Sequence, residues 1–128
     1  MEHSPGFLAL VDAAKRGIRE ITIDEYRDRA SHGEKFLLVD VREDLEWLAG
    51  RIPGAAHLGK GLVERDIEKS FPDKDAPLVF YCGGGFRSAL VCDSVQKMGY
   101  RNVTSLAGGY HGWEDAGHPL DTRPPRDE

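Results

Sequence analysis

Two short apolar runs constrain this chain more than any other feature. Phe36-Leu37-Leu38-Val39-Asp40-Val41 and Pro77-Leu78-Val79-Phe80-Tyr81 are almost continuous in large hydrophobic side chains, the first interrupted by one acid. A strand with one wet face alternates apolar and polar residues. A run without that alternation is covered on both faces, as in parallel sheets enclosed by helices. Helical segments surround the runs. Gly6–Arg16 places Phe7, Leu8, Val11 and Ala14 at helical spacing, and Gly17 ends the segment. Thr22 precedes Glu25 by three residues, the spacing of a capping box, and opens a helix through about Ala30. Asp44 can cap Leu45–Ala49 before Gly50, and Gly61 leads into Leu62–Phe71 before Pro72. Ser88–Met98 is a further helix with Gly99 just past its end, and Tyr110–Ala116 is the last. Ile18, Ile21 and Ile23 lie near a short strand, and Ala55–Leu58 and Asn102–Leu106 read as brief strands. Strands alternating with helices predict an α/β fold whose central, mostly parallel sheet carries helices on both faces.

At 128 residues the chain is one domain's worth. The expected division is an N-terminal helical extension over 1–20 packed on the domain, a main domain over 21–118, and a Pro- and charge-rich tail over 119–128 that frays. A net charge of −5 disfavours nucleic acid and anionic membrane as partners. No apolar stretch approaches the ~20 residues that cross a bilayer, and Met1–Pro5 has no basic n-region, so the cytoplasm is the expected location. Two cysteines suit a reducing compartment, and neither they nor the five histidines show metal-ligand spacing.

The chemistry concentrates in Cys82-Gly83-Gly84-Gly85-Phe86-Arg87-Ser88, which a strand enters and a helix leaves. In parallel sheets, ligands sit beyond the carboxyl ends of strands. Three successive glycines let the backbone bend tightly and aim N–H groups inward as an anion-binding nest. The start of a helix adds free N–H groups and partial positive charge. Arg87 adds a permanent cation suited to oxyanions, and Ser88 can cap the helix. Together they favour the anionic form of Cys82 and hold an anionic donor beside it. An isolated cysteine before a glycine turn is more often a packed core thiol; the strand–loop–helix setting and Arg87 argue for the reactive reading.

Three separated motifs resemble the rhodanese family, over about Ile21 to Gly117. They are Asp40-Val41-Arg42-Glu43 with Glu46 and Gly50-Arg51-Ile52-Pro53-Gly54-Ala55, then the Cys82–Arg87 loop with Ser88 and Ala89, and then Leu106-Ala107-Gly108-Gly109-Tyr110 with Trp113. Arg51 stands where a histidine is common in the family. The resemblance implies a three-layer rhodanese-like fold and a sulfurtransferase without a cofactor. Cys82 would take a sulfane sulfur from a small anionic donor such as thiosulfate, carry it as a persulfide, and yield it to cyanide, a thiol or a protein acceptor. The amides of Gly83, Gly84, Gly85, Phe86, Arg87 and Ser88 would cradle the outer sulfur. Phosphatases and arsenate reductases of the same fold resemble this pattern with one extra loop residue. The six residues from Cys82 through Arg87 suit a single sulfur better than a tetrahedral phosphate. A carrier or protein-binding module without turnover is the other alternative.

Around the loop, Asp40 and Arg42 read as a structural ion pair, with Glu43 or Glu46 as further partners, rather than as catalytic groups. Cys92 shares a helical face with Ala89 and Val95 and reads as a packed core thiol; the alternative is a resolving cysteine. Phe86 is either a wall of the pocket mouth or an ordinary half-packed aromatic. His57 and His111 read as turn or surface histidines, Tyr110 and Trp113 as packing for the last helix, and Glu64–Lys69 as a solvated helix face.

Overall fold

A computed structural model describes residues 2–125. Eleven elements alternate along those residues: α1 (Pro5–Lys15), β1 (Arg19–Ile21), α2 (Ile23–Ser31), β2 (Leu37–Asp40), α3 (Asp44–Ala49), β3 (Ala56–His57), α4 (Lys60–Ser70), β4 (Leu78–Tyr81), α5 (Phe86–Lys97), β5 (Val103–Leu106) and α6 (Gly109–Asp115). The five strands form one parallel sheet in the order β1-β5-β4-β2-β3. The central strand is β4, all four of whose residues are buried. Its neighbours are β2 and β5, so the turns after all three meet at one edge of the sheet. Those turns carry the three motifs singled out above.

Alternation along β4 divides the core. Leu78 and Phe80 face α4 and α5, where they pack with Val63, Ile67, Val91, Cys92 and Val95. Val79 and Tyr81 face the opposite layer, with Ile21, Leu38, Leu106 and Trp113, and with Tyr26 and Tyr110 packed alongside. Cys82 continues the first face. The outermost helix, α1, lies against α5. It buries Val11 and Ala14 while Leu8 and Leu10 stay exposed. Among the described residues, no helix is long and apolar enough to cross a membrane.

Several boundaries differ from the sequence expectation for local reasons. The Thr22–Glu25 capping box forms as expected, with both reciprocal bonds in place. Helix α3 is capped one residue earlier than expected, at Glu43, whose N–H donates to Glu46 Oε1 at 3.0 Å. Helix α4 starts at Lys60, placing Gly61 inside it. Helix α5 starts at Phe86, so Ser88 lies in its first turn and caps nothing; the N-cap is Gly85. The start of the tail is hydrogen-bonded back onto the domain. Arg51 and Asp121 exchange backbone hydrogen bonds of 2.9 and 2.8 Å, and Trp113 Nε1 donates to the Pro119 carbonyl at 2.7 Å. Residues 126–128 of the expected tail lie outside the described residues.

Candidate active site

Cys82 leaves β4 and turns at once into the glycine loop. Gly85 sits at φ +97°, a left-handed conformation that a side chain disfavours. That turn brings the Gly85 N–H to 3.2 Å and the Ser88 N–H to 3.3 Å from Cys82 Sγ, to which both donate. The Ser88 hydroxyl lies 3.5 Å from the same sulfur and 2.8 Å from the hydroxyl of Ser105 on β5. Two amides of the expected cradle therefore point at the thiol. The first turn of α5 leaves the Phe86 and Arg87 amides without an intrahelical acceptor.

The opposite side of the loop is held by α6. The carbonyls of Cys82 and Gly83 accept from the N–H groups of Tyr110 and His111 at 2.8 and 2.9 Å. Peptide planarity then turns the Gly83 and Gly84 amides away from α6. The approach is so close that a Cβ on Gly109 would stand 2.5 Å from the Cys82 carbonyl oxygen. Gly109, at φ +54°, is therefore part of the loop's scaffold.

Cys82 is only 1 % exposed, yet it lines the floor of an open cavity of about 760 Å³. One wall is aromatic: Phe86 with His3 and Phe7, whose ring centroids lie 4.9 and 6.2 Å from that of Phe86. Phe86 lines the cavity. The other wall is polar and consists of Arg87, Glu46 and His111. Arg87 is not free. Its Nη1 and Nη2 donate to the two Glu46 carboxylate oxygens at 2.7 and 3.1 Å. That bond, assisted by the Glu43 N–H and opposed by burial, holds the Glu46 carboxyl down at about 2. Glu46 belongs to Arg87 and the cavity, not to the Asp40–Arg42 pair as expected.

Asp40 and Arg42 pair with each other. Arg42 Nε and Nη2 donate to the Asp40 carboxylate at 2.8–3.1 Å, Nη2 also donates to the Gly50 carbonyl at 2.6 Å, and the guanidinium lies 4.0 Å from the centre of the Tyr110 ring. Both side chains are buried and neither lines the cavity. Arg51, where the resemblance noted a departure, donates to the carbonyls of Trp47, Leu48 and Arg123 and is nearly buried. Cys92 is fully buried in the core under α5, and burial pushes its thiol up to about 12. Both cysteines are free.

Sequence reasoning missed Ser105, gave Glu46 to the Asp40–Arg42 pair rather than to Arg87, read His111 as a turn or surface residue, and did not connect His3 or Phe7 with the loop. No local pattern marks these roles. Ser105 alone carries a signal, being a buried hydroxyl in a strand beside β4.

An amide-lined cysteine loop at the carboxyl end of the central strand of a parallel sheet defines a small α/β protein built around one sulfur atom. The family model described as Rhodanese-like domain matches residues 22–116, and the chain belongs to that family. A sulfurtransferase of Allochromatium vinosum is 35 % identical over 103 residues, covering 80 % of this chain and 94 % of that one. The thiosulfate sulfurtransferase GlpE of Haemophilus influenzae is 32 % identical over 104 residues, covering 81 % and 95 %. Among solved structures, a Rhodopseudomonas palustris protein of unknown function, described as a possible tyrosine phosphatase, superposes with a TM-score of 0.82 at 32 % identity, covering 94 % of this chain and 98 % of that one.

Proposed function

We propose that this protein is a sulfurtransferase that carries a sulfane sulfur on Cys82 as a persulfide. The observation that carries the reading is the convergence of the Gly85 and Ser88 N–H groups on Cys82 Sγ at the floor of an open cavity. Hydrogen bonds to an ionised acceptor are the strong ones, so the loop stabilises a thiolate and then a persulfide anion one bond farther out.

In the first half-reaction the Cys82 thiolate attacks the outer sulfur of a donor such as thiosulfate. The donor's S–S bond breaks, sulfite leaves with the bonding pair, and Cys82–S–S⁻ remains. In the second, a cyanide carbon or an acceptor thiolate attacks the outer sulfur, and Cys82 leaves as thiolate. A protein thiol or other protein sulfur acceptor fits the same step. Neither half needs a general base once Cys82 is ionised, so His111 at the rim needs no proton-transfer role. The names of the sulfurtransferase relatives support this reading, and two free thiols suit the cytoplasm as its setting.

Phosphate-ester or arsenate chemistry is disfavoured by the six-residue loop, one residue shorter than that of the phosphatases and arsenate reductases the pattern resembles. The decisive experiment is mass spectrometry of Cys82 after donor treatment, with a coupled thiocyanate assay. The wild type is expected to gain one sulfur atom and to turn over, and Cys82→Ser to do neither. Hydrolysis of an aryl phosphate above the Cys82→Ser background, with no sulfur gained, would overturn the proposal. Tight capture of a protein without turnover would favour the binding-module alternative.

A further inference from the structure

The cavity beside Cys82 is poorly matched to a small inorganic dianion. Its volume, about 760 Å³, lies in the range that holds organic ligands, and a thiosulfate ion would fill little of it. Charge points the same way. Arg87 is the one Lys or Arg lining the cavity among the described residues, against two acids, Glu2 and Glu46. Glu46 engages Arg87 through both oxygens, so the guanidinium offers little charge to an anion in the cavity. Lys15 Nζ lies 5.1 Å from the centre of the Phe86 ring, does not line the cavity, and faces Glu20 at 3.6 Å. On the other side of the sulfur, Phe86, Phe7 and His3 form an aromatic wall. His3 and Phe7 come from the segment preceding residues 22–116, so the domain core does not supply this wall by itself.

We propose that the donor this site selects is a low-molecular-weight organic persulfide with an uncharged or cationic body, seated against the His3–Phe7–Phe86 wall, and that Glu46 disfavours dianionic inorganic donors. The inference rests on the sulfur-transfer reading above and narrows its donor. The step balances without an added oxidant. The Cys82 thiolate attacks the terminal sulfur of R–S–SH, the S–S bond breaks, its electron pair leaves with R–S⁻, and Cys82–S–SH forms. The organic body lies along the aromatic wall, where a cationic group gains from the ring faces and from Glu2. Glu46 is a specificity-determining residue in this scheme and takes no part in bond making.

The test is single-turnover sulfur loading of Cys82, followed by mass spectrometry, with cysteamine persulfide and thiosulfate as the two probes. Wild-type protein is expected to load from cysteamine persulfide with a second-order rate constant at least roughly tenfold above that from thiosulfate, the difference expected for one uncompensated charge near the surface. Glu46→Gln is expected to raise the thiosulfate rate and shrink that ratio. Phe7→Ala, at a half-exposed position of α1, is expected to shrink it from the other side by slowing the organic donor. Added salt is expected to speed thiosulfate loading in the wild type, because it screens the repulsion, and to leave the same rate nearly flat in Glu46→Gln. Equal rates for the two donors, or a preference for thiosulfate in the wild type, would overturn the inference and leave sulfur transfer intact. Failure of Cys82 to gain sulfur from either probe would overturn the sulfur-transfer reading, and this inference with it.

Discussion

The groups hydrogen-bonded to Cys82 differ in how much a substitution can reveal. The Gly85 and Ser88 amides belong to the backbone and survive side-chain changes, whereas the Ser88 hydroxyl can be removed. Ser88→Ala deletes the contact 3.5 Å from Sγ and strands the Ser105 hydroxyl that sits 2.8 Å away. At about 1 kcal/mol for such a bond, sulfur loading at fixed pH should slow about fivefold; an unchanged rate would show that the amides alone hold the sulfur. Glu46 yields a prediction in pH. Its carboxyl lies at about 2, below its ordinary 4.5, because Arg87 donates to it. A depressed acid contributes stability that is present above its unfolded value and lost as pH falls toward the folded one. The wild type should therefore exceed Glu46→Gln in stability by a constant margin above pH 4.5, and the margin should vanish on the way down to about 2. Urea titrations over a pH series measure it, and a margin that persists at the acid end would refute the pairing.

Helix α6 is short, but its first turn is what shapes the Cys82 loop. Tyr110 and His111 grip the two loop carbonyls, and Gly109 leaves room for them to do so. Gly109→Ala places a Cβ 2.5 Å from the Cys82 oxygen in a left-handed backbone. The left-handed backbone alone costs an L residue roughly 1–2 kcal/mol, and the overlap forces α6 and the loop apart. Thermal unfolding should show the loss of stability. Sulfur loading should fall further than Ser88→Ala lowers it, because the whole cradle moves. Most elements were legible from local pattern: the Thr22–Glu25 box, the unbroken apolar run of β4, and the glycine after α5. The misplaced starts of α3 and α5 have one cause. Asp44 and Ser88 are good caps by residue type, but the chain reaches helical geometry earlier, through Glu43 with Glu46 and through the turn at Gly85.

At the scale of the molecule, the buried Asp40–Arg42 pair joins parts remote in sequence. Arg42 reaches from the end of β2 to the carbonyl after α3 and lies over the Tyr110 ring of α6. Asp40→Ala leaves a buried guanidinium without its counter-ion, and removing one partner of such a pair costs roughly 3–5 kcal/mol. Denaturant unfolding should show a loss of that order. Cys82 should still load sulfur in the fraction that stays folded, because neither residue lines the cavity. A variant of native stability that no longer loads would give the pair a direct part in the chemistry.

Periodicity and residue type determined what is local: strands without alternation that need two covering layers, glycines where the chain must turn left-handed, and a cysteine placed between a strand and a helix. Those signals act over a few residues, so one sequence carries them. Tertiary structure alone decided which partners close around the sulfur. Glu46 reaches Arg87 across 41 residues, Ser105 backs Ser88 from the neighbouring strand, and α6 turns the loop amides inward. His3 and Phe7 become a wall because α1 folds back onto α5. Such pairings depend on how far and at what angle packed elements approach, which no short stretch of residues encodes.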